Sequence, residues 1–185
     1  MIKEVGVTLV ELMITLLISA LLVSIAVPSF AHLVKRSKAN GETNKILDVL
    51  ALARSESIKK SQVVTLCKSL DKAECGGDWR DGWILFVDGN KDGKRDEGED
   101  VLTSGKMEQG FKLSYRAFGS SNHLRFTPMG FTLSHNGTFK ICPADNDPRY
   151  ARVVIISKTA RTRLSRDADG DGIYEDASGK PLVCP

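Results

Sequence analysis

The segment VTLVELMITLLISALLVSIAV, residues 7–27, decides how the rest of the chain is interpreted. It is apolar except for five side chains: Thr8, Glu11, Thr15, Ser19 and Ser24. About 20 such residues are enough for one helix to cross the hydrocarbon core of a bilayer. We therefore predict a single-pass membrane helix over residues 7–28, preceded by a short polar leader, residues 1–6.

Two other interpretations of this segment are a cleavable secretory signal and a plain membrane anchor. Ser29-Phe30-Ala31 offers the small residues of a signal cleavage site, but the apolar run is long for a signal and has a carboxylate near its start. A plain anchor leaves Glu11 unexplained, because a carboxylate in hydrocarbon costs on the order of a few kcal/mol. We expect Glu11 to be paired or functional.

The motif Gly6-Val7-Thr8-Leu9-Val10-Glu11-Leu12 resembles the processing site of type IV prepilins and pseudopilins. The resemblance implies that a prepilin peptidase cuts between Gly6 and Val7 and methylates the new N-terminus on Val7. It also implies a role for Glu11 in assembly. In a filament core this carboxylate would meet the N-terminal amine of a neighbouring subunit, which offsets part of the cost of burying it.

Residues 29–60 continue as an amphipathic helix. Pro28 removes one backbone hydrogen bond and is expected to kink the helix, and Gly41 is a weak point in it. The apolar residues beyond recur at helical spacing. They include Ile46, Val49, Leu50 and Ala53. We expect one helix from residue 7 to about residue 60, whose second half packs this apolar stripe on the globular part.

Residues 61–185 have the texture of a β-rich head. Short β-branched or apolar runs, bounded by turn residues, predict strands. They cover residues 63–67, 82–88, 112–118, 123–126, 138–142 and 152–157. We expect an α+β fold in which an antiparallel sheet packs on the long helix.

The head motifs resemble those of the GspH/FimT/FimU group of minor pilins and minor pseudopilins. They are WILFVD (83–88), FTPMG (126–130), GTFKIC (137–142) and RVVIIS (152–157). The resemblance implies a type IV pilin fold and a subunit near the tip of a filament that helps to prime its assembly. It implies an inner-membrane anchor with a periplasmic head, and other major and minor pilins as partners. A type IV pilus and a type II secretion pseudopilus both remain open.

Four cysteines lie in the part of the chain that would be translocated. An even number there indicates disulfides. Of three connectivities we favour Cys67–Cys75, a short local loop, with Cys142–Cys184, which ties the C-terminal tail to a strand. Zinc is the alternative, but the sequence has no CxxC pair and three histidines.

Two acidic loops raise the question of calcium. Residues 88–99 match the twelve-position EF-hand loop, with glycine at the sixth position. The candidate ligands are Asp88, Asn90, Asp92, Asp96 and Glu99. Arg95 replaces the usual apolar residue and no helix precedes the loop, so a polar hairpin tip is the alternative.

The second acidic loop, residues 167–176, has the same opening. Asp167, Asp169 and Asp171 occupy the first ligand positions, but Ser178 stands where a bidentate glutamate is expected. No cofactor is required by the predicted function.

A basic run near the C-terminus raises the question of DNA. It consists of Arg149, Arg152, Lys158, Arg161, Arg163 and Arg166. FimT-like pilins of DNA uptake contact DNA through a Gly-Arg-x-Arg motif, which the segment Ala160-Arg161-Thr162-Arg163 resembles. Alanine replaces the glycine and is less free at positive φ. Arg161 and Arg163 either form a phosphate clamp or belong to a solvated surface strand.

The sequence offers no sign of an enzyme. It has no nucleophile elbow, P-loop or zinc-protease motif, and His32, His123 and His135 have no recognisable catalytic neighbours in sequence. The net charge of +3 is too small to indicate a nucleic-acid partner by itself. We therefore expect a structural filament subunit.

Overall fold

A computed structural model of the chain describes Gly6 and residues 8–184. One α-helix, α1, covers Leu9–Lys60, with Pro28 and Gly41 inside it. The chain divides into two units at residue 38, so the two parts of α1 belong to different units.

The first unit ends at Lys38 and contains the apolar part of α1. Three hydroxyl groups in this part donate to carbonyls of their own helix: Thr15 Oγ1 to Leu12 O at 2.9 Å, Ser19 Oγ to Thr15 O at 2.7 Å and Ser24 Oγ to Leu21 O at 2.7 Å. Hydroxyls that are satisfied within the helix bring no unpaired polar group into an apolar surrounding.

Within the described residues, α1 is the one helix whose length and composition would let it cross a membrane. None of its most apolar window is buried by the rest of the chain. A signal sequence near an N-terminus has the same length and composition.

The second unit begins at Ala39, and its described residues, 39–184, contain eight strands. Their bounds are β1 Val64–Lys68, β2 Trp83–Val87, β3 Val101–Gly105, β4 Phe111–Ala117, β5 His123–Phe126, β6 Gly137–Pro143, β7 Arg152–Ile156 and β8 Thr162–Leu164. They form two antiparallel four-stranded sheets. The first has the order β3-β2-β1-β5 and the second β4-β6-β7-β8.

The core of this unit lies between the apolar stripe of α1 and both sheets. Its fully buried large side chains include Ile46, Leu50, Leu66, Leu85, Leu113, Phe126, Phe139 and Ile156. Trp79 lies edge-on to Tyr115 and Phe139, with ring centroids 5.5 Å apart in each pair. Burial of these apolar surfaces stabilises the unit, at about 25 cal/mol per Å².

The predicted α+β class, a long helix with an antiparallel head, is confirmed. The head contains two sheets rather than the single sheet expected. β3 was not predicted, because Val101-Leu102-Thr103-Ser104-Gly105 has only two apolar residues. It becomes a strand by pairing with β2.

Candidate functional site

The start of α1 carries the predicted processing and assembly residues. Val7 and residues 1–5 lie outside the described residues, so the predicted cut between Gly6 and Val7 stays a prediction. Thr8 Oγ1 accepts the backbone N–H of Glu11 at 3.2 Å. Thr8-Leu9-Val10-Glu11 therefore has the sequence of a capping box and makes one of its two hydrogen bonds.

This capping arrangement gives Glu11 a second role that the sequence analysis missed. A carboxylate in the first turn of a helix is favoured by the helix dipole. The Thr-x-x-Glu spacing was readable in the sequence and carried this signal. A cut after Gly6 would leave Thr8 in the mature chain, so the capping hydrogen bond would survive processing.

The structure joins the cysteines in the two favoured pairs. Cys67 of β1 is bonded to Cys75, with Cα atoms 5.7 Å apart, and packs with Ile84 and Phe86 of β2. Cys142 of β6 is bonded to Cys184, with Cα atoms 5.8 Å apart. The second disulfide attaches the C-terminal tail to the second sheet.

The C-terminal tail, residues 165–184, covers a second small apolar cluster on that sheet. Leu182 and Tyr174 of the tail pack with Val153 and Ile155 of β7. The guanidinium of Arg152 lies 3.8 Å from the centre of the Tyr174 ring. The tail is therefore held by a disulfide, by apolar packing and by a cation–π contact.

The basic run predicted near the C-terminus is only partly a surface feature. Arg152 is 4% exposed, and its Nη1 donates to Ala151 O at 2.7 Å. Arg149 pairs with Asp147 at 2.7 Å. Lys158, Arg161, Arg163 and Arg166 are exposed. Arg152 therefore does not belong to the exposed part of the basic run, because β7 is almost entirely buried and the Tyr174 ring lies on the Arg152 guanidinium.

The turn before β8 places Ala160 at positive φ, where alanine is less favourable than glycine. Ala160 has φ 56° and is buried. Its N–H donates to Ser157 O at 2.9 Å, and its C=O accepts Arg54 Nη1 at 3.4 Å. Tertiary contacts hold alanine where glycine is favoured, and Arg161 and Arg163 follow in an extended segment. DNA binding by these arginines stays a prediction.

The first acidic loop is anchored by its first residue. Asp88 is fully buried, and its Oδ2 accepts Thr65 Oγ1 at 2.6 Å and the N–H of Gly93 at 3.1 Å. Arg125 Nε lies 3.6 Å from the same oxygen. Asp88 thus holds the loop to β1 and β5, a role that the calcium hypothesis did not include.

Other candidate ligands of this loop bond to groups of the loop itself. Glu99 accepts the N–H of Gly89 at 2.7 Å and of Asp96 at 3.0 Å. Asn90 Nδ2 donates to Asp96 Oδ2 at 2.6 Å. These bonds suit the polar hairpin tip that was the alternative. Calcium binding here stays a prediction.

The second acidic loop brings three carboxylates close together. In the described part of the chain, one group of three has ligand oxygens within 4.8 Å of one another: Asp167, Asp169 and Glu175. Glu175, rather than Ser178 at the twelfth position, supplies the third oxygen. This group has the donor chemistry that hard divalent cations prefer.

Two histidines meet above the first acidic loop. The rings of His123 on β5 and His135 have centroids 4.9 Å apart. The His123 ring also lies so close to Gly93 that a Cβ there would overlap it. Burial lowers the pKa of both imidazoles, and the cationic Arg125 lowers both further. The sequence analysis did not predict this contact between His123 and His135.

Solved structures with the same fold are minor pilins and a minor pseudopilin. The type IV minor pilin FimU of Pseudomonas aeruginosa matches with a TM-score of 0.56 and 22% identity over 71% of this chain and 90% of that chain. The minor pseudopilin EpsH of the Vibrio cholerae Type 2 Secretion System matches with a TM-score of 0.50 and 16% identity over 69% and 95%. The chain therefore has the type IV pilin fold.

A family model gives the narrower assignment. The model described as Type II transport protein GspH matches residues 42–160, more than half of the chain. The chain belongs to the GspH family, a family of minor pilins and pseudopilins. No curated protein matches the chain.

Proposed function

We propose that the protein is a minor subunit of a type IV pilus that helps to initiate assembly or forms the pilus tip. The observation that carries the proposal is the combination of an apolar helix, which has Glu11 in its first turn, with a head of the GspH family. Such a helix suits a filament core, while the head supplies the surface for other pilins. The alternative is a minor pseudopilin of a type II secretion system, which would have the same role in a related filament.

The proposal assigns residues 1–6 to a leader and residues 7–28 to the membrane and filament core. Residues 29–60 form the amphipathic part of the helix, and residues 61–185 form the periplasmic head. Before assembly the chain would sit in the inner membrane as a single-pass protein. Prepilin peptidase would release it by cutting between Gly6 and Val7.

Processing can be tested in cells with and without prepilin peptidase. Mass spectrometry of the N-terminal peptide should find a chain that starts at Val7 and carries one methyl group, only where the peptidase is present. Gly6→Val should block the cut. A chain that stays uncut beside an active peptidase would contradict the proposal.

Assembly can be tested by deleting the gene and counting surface filaments and secreted proteins. Loss of filaments indicates the pilus, and loss of secretion with normal pili indicates the pseudopilus. Glu11→Gln removes the charge that would pair with a neighbouring amine, whereas Glu11→Asp keeps it. Glu11→Gln should complement poorly and Glu11→Asp better; equal rescue by both would remove the ion-pair role.

Calcium binding at Asp88, Asn90, Asp92, Asp96 and Glu99 can be tested by thermal unfolding with calcium and with EDTA. A ligand that binds only the folded protein raises the melting temperature. Glu99→Gln and Glu175→Gln separate the first acidic loop from the second. Identical melts in calcium and EDTA would exclude both loops.

A further inference from the structure

We propose that the free edge of β8 binds an extended acidic segment of another polypeptide, which adds to the second sheet as a fifth strand. Strand addition of this kind uses backbone hydrogen bonds for affinity and side chains for specificity. The inference goes beyond the filament role, because it concerns one surface of the head and the chemistry of its partner.

The hydrogen bonds of the β7–β8 hairpin show which backbone groups of β8 point outward. Ser157 N–H donates to Arg161 O at 3.0 Å, and Ser165 N–H donates to Val153 O at 2.9 Å. Bonded pairs alternate along an antiparallel ladder, so Arg163, opposite Ile155, faces β7. The N–H and C=O groups of Thr162 and Leu164 therefore point away from the sheet.

These four outward groups form a regular edge. All three residues of β8 are exposed, and their register with β7 has no shift. Outside the β7–β8 ladder, the N–H and C=O groups of Thr162 and Leu164 make no hydrogen bond to any residue in 8–184. An exposed row of unpaired backbone donors and acceptors is a template for another strand.

The other three sheet edges differ from β8 in register or in side-chain packing. The register of β3 shifts where it pairs with Leu85 and Phe86, which indicates a bulge, and bulges hinder further pairing. His135 packs on His123 at the β5 edge. Beside β4, Trp79 contacts Tyr115. Among these edges, β8 is regular and exposed at Thr162–Leu164. The tail occupies the continuation of this edge, where the N–H of Glu175 donates to Arg166 O at 2.8 Å, so the open edge is three residues long.

Charge determines the kind of strand that fits. Arg161 and Arg163 project on one face of the extended segment, since alternate residues share a face. A second copy of this chain, paired antiparallel and centred on Thr162 or Arg163, would place Arg163 opposite Arg161 or Arg163. Like charges directly opposite destabilise a pair, so a carboxylate in the partner strand is favoured there.

The opposite face of β8 offers an apolar contact. Leu164 is 49% exposed, and its side chain lies on the face opposite to Arg163 because neighbouring residues alternate. The best partner segment therefore alternates acidic and apolar residues. Such a segment matches both faces of β8 as well as its edge.

A short acidic strand fits this surface better than DNA does. DNA would contact the guanidinium groups and leave the outward N–H groups unused. Five carboxylates follow the basic residues closely: Asp167, Asp169, Asp171, Glu175 and Asp176. They oppose a long polyanion that carries a charge every 1.7 Å or so, whereas a strand that pairs with three residues ends within about 10 Å.

The test uses the full chain in detergent micelles and fluorescence anisotropy of labelled probes. The probes are a seven-residue peptide of alternating glutamate and valine, its lysine–valine counterpart, and a short DNA duplex. The glutamate peptide should bind most tightly. Thr162→Pro removes an outward N–H and should weaken that binding about tenfold or more, while Thr162→Val keeps the N–H and should not.

Charge reversal provides the second arm. Arg163→Glu should lose the glutamate peptide and gain the lysine peptide, and an unchanged melting temperature shows that the variants fold. The proposal is overturned if no peptide binds, since short charged edges also serve to prevent pairing. Equal affinity of Thr162→Pro and Thr162→Val, or tighter binding of DNA than of the glutamate peptide, also overturns it.

Discussion

Arg152 and Tyr174 connect the second sheet to the C-terminal tail. The guanidinium carbon of Arg152 lies 3.8 Å from the centre of the Tyr174 ring, and Arg152 Nε donates to Asn40 Oδ1 on α1 at 3.2 Å. One buried side chain therefore contacts the helix and the tail at once. The Tyr174 ring offsets part of the cost of burying this charge through the cation–π contact.

Replacing Tyr174 tests this relationship. Tyr174→Ala removes the ring and should lower the free energy of unfolding by about 1–3 kcal/mol, through the lost cation–π contact and lost burial. Tyr174→Phe keeps the ring and should change it little. Chemical unfolding of the full chain in detergent measures both. If the two variants unfold alike, the ring is not what holds Arg152.

The two disulfides should differ in their contribution to stability. Cys142–Cys184 closes a loop with a sequence separation of 42, and Cys67–Cys75 one of 8. In the chain-entropy model the larger loop contributes ~4 kcal/mol and the smaller ~2.5 kcal/mol. The double serine variant of Cys142 and Cys184 should therefore melt at a lower temperature than the double serine variant of Cys67 and Cys75. Equal melting temperatures of the two variants would show that loop length does not determine how much each disulfide stabilises this head.

Local patterns predicted the parts of the fold that depend on neighbours in sequence. The run His123 to Phe126 was predicted as a strand and is β5. The spacing of the apolar residues in α1 predicted its buried side, including Ile46 and Ala53. These features depend on periodicity, which a sequence shows directly.

Other features depend on contacts between distant residues. His123 and His135 are twelve residues apart in sequence, and the path of the intervening chain brings their rings into contact. Ala160 adopts φ 56° because Ser157 and Arg54 bond its backbone, which overrides the preference of alanine. Arg152 belongs to a basic run in the sequence, but its side chain is buried against Asn40 and Tyr174. No local pattern contains this information.

The histidine pair should make the head less stable in mild acid. Burial lowers the pKa of His123 and His135, with Arg125 and the neighbouring ring adding to the effect at His123, while Asp88 and Asp92 oppose it there. The unfolded chain then binds more protons near and below pH 6.5 or so. Stability is therefore greatest above that pH and falls as pH decreases toward the folded pKa values.

Thermal unfolding between about pH 7 and pH 5 measures this effect. Asp71, Asp78 and Asp176 have pKa values lowered from 3.8, so their contributions are lost at more acidic pH. His123→Asn should flatten the decline in melting temperature, and His135→Asn should do the same. A decline as steep in both variants as in the parent would assign it to other groups.

Glu42 should be the most costly carboxylate to remove from the second part of α1. It is 2% exposed, its Oε2 accepts the N–H of Glu108 at 3.0 Å, and its Oε1 accepts Lys45 Nζ at 2.6 Å. Glu42→Ala leaves that N–H without its acceptor, so the free energy of unfolding should fall by about 2–3 kcal/mol.

The matched control for Glu42 is Glu56 on the same helix. Glu56 also pairs with a lysine three residues on, Lys59, but at 3.5 Å and with Lys59 77% exposed. Glu56→Ala should therefore cost about 0.5 kcal/mol or less. Lys45→Ala should also cost little, because the Lys45 side chain is 48% exposed. Denaturant unfolding of the three variants decides the matter: if Glu42→Ala costs no more than Glu56→Ala, the bond to Glu108 does not hold the segment before β4 against the helix.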